Sequence, residues 1–159
     1  MASRLTQILF CGVVMIGVGR MNAMAQEENT GLGSIIAVRY GDDFSLEAGI
    51  GYGEWKNATG HAYSFSVSHG VSASAELILA EKPVLGVRTG LWANHLLALG
   101  LSFGYYTDFD QSVYVLQPEI GLGFAPARIS WRANLHSAIA TPPPGMNAND
   151  IALVVTLKF

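Results

Sequence analysis

The stretch Asp150-Ile-Ala-Leu-Val-Val-Thr-Leu-Lys-Phe159 decides how this chain is read. Ile151, Leu153, Val155, Leu157 and Phe159 fall on every second position, and Asp150, Ala152, Val154, Thr156 and Lys158 fall between them. Successive side chains of an extended strand point to opposite faces, so this segment has one wholly apolar face and one mixed face. The repeat Gly49-x-Gly51-x-Gly53 has the same period of two, and glycine so placed defeats a helical reading. The chain reads as all-β. What remains is to decide which face of the strands is inside.

The alternation recurs upstream. It predicts strands over 34–40, 44–53, 63–79, 84–92, 96–106, 113–124 and 128–137 ahead of 150–159, eight in all. In the second, Phe44, Leu46, Ala48, Ile50 and Tyr52 alternate with Ser45, Glu47, Gly49, Gly51 and Gly53. Gln26 to Leu32 reads as a polar lead-in and 54–60 as a polar turn. Pro118 sits inside the sixth strand, where it gives up one ladder hydrogen bond. The connections 41–43, 80–83, 107–111 and 139–149 share one end. The last is the longest, and its Pro142-Pro-Pro144 reads as stiff and extended, with room for a small binding surface.

Composition narrows the class. Hydrophobic residues make up 50% of the 159-residue chain and charged ones 13%, about half the charged share usual in water-soluble domains. Arg4, the apolar stretch 8–18 and Ala23-Met24-Ala25 form the pattern of a cleaved signal peptide over 1–25, leaving one domain, 26–159. No later run is long and apolar enough for a membrane helix. A membrane protein without such runs satisfies its backbone by closing a barrel. Cleavage removes Cys11, the single cysteine, and with it any disulfide or thiol chemistry. Of nine Lys and Arg residues, Arg4 and Arg20 leave with the leader, so seven face twelve Asp and Glu, a balance of −5. That argues against nucleic acid as a partner.

The face opposite the large apolar residues carries Arg39, Glu47, Glu76, Arg88, Glu119, Arg128 and Arg132 among small Gly and Ser. Eight strands enclose a lumen just wide enough for side chains to fill. An isolated buried ion costs several kcal/mol, so these groups are expected to pair into a lumen network. The result is a plugged, non-conducting barrel. His61 and His95 fall at separate turns, so neither a metal site nor a cofactor is expected. For catalysis the candidates are His69 with Ser68 or Ser72, and His136 with Ser137. Sequence neighbours on a strand point apart, so no catalytic residue is assigned and an enzyme is not expected.

Taken whole, 26–159 resembles small OmpA/OmpX-type outer-membrane barrels. The closing Phe159 is similar to the terminal signal that the barrel-assembly machinery reads in such proteins. Tyr105-Tyr-Thr-Asp-Phe-Asp110 and Pro118-Glu-Ile-Gly-Leu-Gly-Phe124 resemble a functionally uncharacterised family of short Gram-negative barrels. The resemblance implies a closed antiparallel up-and-down transmembrane β-barrel of about eight strands in the outer membrane, with lipid and the assembly machinery as partners. It brings no activity, so a structural or interaction role is expected. The alternatives are a lipid A-modifying barrel enzyme (deacylase or acyltransferase) and a soluble periplasmic lipocalin-like barrel, whose faces would be reversed. Two lipid-boundary belts are also expected, Tyr40, Phe44, Tyr105, Phe109 and Tyr114 at the loop end and Tyr52, Trp55, Tyr63, Trp92, Phe124 and Phe159 at the other.

Overall fold

The computed structural model describes residues 29–56, 67–124, 127–136 and 141–158. The predicted leader with Ala23 and Ala25, together with Tyr63 and Phe159, lies outside the described residues. The strands are β1 (Asn29–Tyr40), β2 (Phe44–Lys56), β3 (Val67–Ile78), β4 (Val84–Asn94), β5 (Leu97–Thr107), β6 (Ser112–Phe124), β7 (Ala127–Ala133), β8 (Leu135–His136) and β9 (Asn149–Lys158).

Every pairing is antiparallel. Neighbours in the chain pair from β1 through to β7, β8 continues along β6, and β9 lies between β7 and β1. The ring of β1 to β7 with β9 is closed, and each of these strands pairs on both sides. The ladder on β6 stops at Glu119↔Arg132 and resumes at Leu116↔Leu135 in the same register. The gap falls at Pro118, which has no N–H to give across to Ala133. On the other side the β7–β9 register carries on past the gap, with the N–H of Asn134 donating to the carbonyl of Ala148 at 2.8 Å. β7 and β8 are thus one strand interrupted, and the fold is an eight-stranded up-and-down barrel.

The registers fix its shape. A path across the ladders from Thr30 to Glu54, then through His69, Leu99 and Trp131 to Ile151, arrives at Tyr40, ten residues farther along β1. With usual strand spacings, that stagger over eight strands sets a tilt of about 40° and a backbone radius of about 8 Å. Two long side chains from opposite walls then meet at the axis.

Three expectations need correction. β1 begins at Asn29, because Leu32 continues the outward set and the backbone of 29–33 pairs with β2 as far as Trp55. β2 likewise runs on to Lys56, so 54–56 belong to the sheet and not to a turn. Trp92 leaves the lipid-boundary set. It shares the inward phase of Arg88 on β4 and is buried.

The charged lumen

Inside and outside differ in kind. The outward face carries Leu91, Leu99, Leu101, Ile120, Ile129 and Trp131, all exposed. The inward face carries all seven residues singled out from the sequence, and each is at most 9% exposed. The structure joins them in one network. Arg39 is its hub, 1% exposed: its Nε and Nη2 donate to Glu47 Oε2 at 3.0 and 2.7 Å, Nη1 lies 3.5 Å from Asp150, and Nη2 lies 3.7 Å from Glu119. Arg88 reaches the other Glu47 oxygen, at 2.8 Å, and Ser74 donates to that oxygen too. Arg132 forks onto Glu76 at 2.8 and 2.9 Å and onto Asp150 Oδ2 at 2.9 and 2.7 Å. Arg128 and Ser130 hold Glu119 at 3.0 and 2.7 Å.

The sequence reading missed Asp150 as a member. Four arginines against three glutamates left an unbalanced interior; Asp150 makes the signs of the lumen network equal. The signal was present, since Asp150 shares the inward phase of Ala152 and Val154 and stands directly opposite Arg132 across the β7–β9 ladder. Neutral groups complete the network. Tyr106 donates to Glu76 at 2.7 Å, Gln117 donates to Tyr106 and to Asn134 at 2.8 Å each, and Ser45 donates to Glu76 at 2.6 Å. The Tyr106 ring lies across Gly86 and Gly104, where a Cβ would come within 2.3 and 2.7 Å of it. Glycine at both positions makes the space for that ring. Arg88 Nη1, Asn94 Oδ1 and Gln117 Oε1 are among the buried atoms with no hydrogen-bond partner in the described residues.

The segment 141–148 folds over one end of the lumen. Within it, Pro143 is buried and Met146 packs on an apolar cluster of Ile78, Val84, Tyr106, Val113 and Val115. Gly145 adopts φ 88°, and its Cα faces Ala80 so closely that a Cβ would stand 2.2 Å from that side chain. Asn134 donates from Nδ2 to the Asn147 carbonyl at 2.9 Å. The stretch expected to be stiff and extended is instead a folded cap. The recess between the cap and Arg39, Glu76 and Arg132 holds about 10 Å³, room for about one water.

Beside the cap, Lys82 bridges to Asp110 and, at 3.1 Å, to Asp108. The Asp108 carboxyl is held below the usual carboxylate range, first by the Gln111 backbone N–H and then by Lys82 and the Asp110 N–H.

The catalytic candidates lie apart. His69 is on the outer face, 3.5 Å from Glu54, while Ser68 is buried on the inner one. His136 is exposed, and Ser137 lies outside the described residues. Among the described residues no group of His, Cys, Asp and Glu is placed to hold a metal ion.

Fold and site together define a closed eight-stranded antiparallel barrel with a charge-filled interior and an apolar wall. Compared with known proteins, the chain matches no family model, no curated protein and no solved structure. The part of the OmpA/OmpX-type resemblance that the structure shows is this architecture.

Proposed function

We propose that the chain is an integral outer-membrane barrel of a Gram-negative bacterium with a filled, non-conducting lumen, serving a structural or interaction role. One observation carries the reading. The eight-stranded ring is apolar outside and charged inside, the reverse of a barrel folded in water. At the tilt derived above, Leu32 near one rim and Tyr114 near the other are about 25 Å apart along the axis, the height of the apolar band in outer-membrane barrels. Hydroxyls on the wall are tied to its own backbone: Thr89 donates to the Ser72 carbonyl at 3.0 Å and Ser34 to that of Leu157 at 3.5 Å. Tyr105 and Phe103 pack against Tyr114 at 5.2 and 5.6 Å, toward the loop end where an aromatic belt is expected. A soluble ligand-binding barrel would need an apolar interior with space in it, and the charged lumen supports neither.

Electrophoresis of the membrane fraction in mild detergent, boiled against unboiled, tests the proposal. A closed barrel in the envelope runs as a compact species that shifts on boiling. Planar bilayers containing the refolded protein show no steady ion conductance. A protein found in the soluble periplasmic fraction with no shift refutes the membrane reading; a stable open channel refutes the filled lumen.

A further inference from the structure

We propose that Asp150 is the closing staple of the barrel, the side chain that fastens the last strand to both of its neighbours at once. β9 lies between β1, the first strand described, and β7. Asp150 is the one acid in β9, and it splits its two oxygens between those neighbours. Oδ1 takes Arg39 of β1 at 3.5 Å, and Oδ2 takes Arg132 of β7 at 2.7 Å. A third donor, Asn134 Nδ2, reaches Oδ2 at 3.2 Å from the break beside β7.

Among the described residues, every other acid of the lumen network sits on β2, β3 or β6 and draws its partners from a ring that already exists before β9 docks. In that unclosed ring, Arg39 has Glu47 and Arg132 has Glu76, so neither is bare. The interior nevertheless carries one positive charge in excess. Docking β9 removes the excess, and it does so only in the correct register. A slip by one residue turns Asp150 outward and Ile151 inward. Lower on the same seam, Ala152 and Val154 pack on Ile35 and Ala37, a contact that small apolar side chains make without strict register. The apolar patch supplies adhesion to the seam, and Asp150 supplies its register.

Hydrogen exchange of the full chain, refolded in detergent and read amide by amide, tests this. In Asp150→Asn the amides of β9 and of the facing residues of β1 and β7 exchange about tenfold faster, while those of β3, β4 and β5 keep their protection. Glu119→Gln removes the same charge from inside the ring and leaves the β1–β9 ladder at its wild-type rate. An even rise across all strands in Asp150→Asn, or the same seam opening in Glu119→Gln, overturns the proposal. Should Asp150→Asn not refold, Asn134→Ala withdraws a single donor from Oδ2 and must loosen the same seam to a smaller degree; loss spread over the whole barrel again overturns it. The exchange map can be made in plain buffer if the protein proves water-soluble, so this test stands apart from that of the membrane reading.

Discussion

Val87 and Arg88 are neighbours on β4 and occupy opposite media. Val87 stands 57% exposed on the wall, whereas Arg88 is 9% exposed and forks onto Glu47. The same contrast runs round the ring, from Tyr40 and Arg39 on β1 to Ile151 and Asp150 on β9. The difference shows that alternation encodes two faces without saying which is inside. What decides is volume and charge. A cylinder of about 8 Å radius is filled by arginines reaching across glycine-lined walls, and those arginines are tolerable there because each finds an acid. Most of the bulky apolar residues remain outside, and the few that turn inward, such as Trp92 and Tyr106, are buried beside the charged network.

Breaking the inner half of this contrast has the largest effect. Arg132→Met takes the forked partner from Glu76 and the nearest from Asp150 while preserving much of the side-chain volume. Leaving buried carboxylates short of a cation costs about 3–5 kcal/mol. Denaturant unfolding of the refolded protein is expected to show that loss; a change below about 1 kcal/mol, the value of an exposed ion pair, would mean that water reaches the lumen.

The outer half is broken by Leu101→Arg, near mid-height of the wall. In the membrane reading a charge at that depth costs about 2–4 kcal/mol. In a barrel surrounded by water the same substitution adds a solvated charge and stays within about 0.5 kcal/mol. Unfolding titrations in lipid vesicles separate the two outcomes, and a neutral result would reverse the assignment of solvent to the outer face.

The fold was legible because each strand states its period locally. Phe44 to Gly53 needs no distant partner to be read as a two-faced strand, and most of the strand boundaries follow. The lumen was legible for the same reason, since Arg39, Glu47, Glu76 and the rest stand on the minority face of otherwise apolar strands. What the sequence withheld depends on distance. Asp150 stood on the mixed face of the last strand, but its partner could be named only once the register set it across from Arg132. Tyr105 continues the outward phase of Phe103, so the alternation turns Tyr106 inward; what it leaves out is the room for that ring, made by Gly86 and Gly104 on two different strands. Trp92 misled the belt assignment because its place near a strand end suits a lipid boundary, although it shares the inward phase of Arg88. The cap was the least legible part. Its prolines describe local stiffness, while its fold comes from Met146 and Asn147 docking on strands far away in sequence.

The smallest effect tests whether the loop end is held by its own chemistry, apart from the lumen. The Asp108 carboxylate accepts from the amides of Gln111 and Asp110 at 2.7 and 3.1 Å and faces Lys82, and it fixes a turn in which Phe109 has a left-handed φ of 73°. Because its folded pKa is depressed, its contribution is fully present above the ordinary carboxylate range, about pH 4. That contribution is lost as pH falls through the folded value. Acidification from neutral pH is therefore expected to release the Gln111 and Asp110 amides, seen as chemical-shift changes and faster exchange, before the strand amides of β5 and β6 move. In Asp108→Ala the two amides are already released at neutral pH and show no such titration. If instead the loop and the strands shift together, the turn has no independent anchor, and the capped end of the lumen must be treated as one unit with the charges below it.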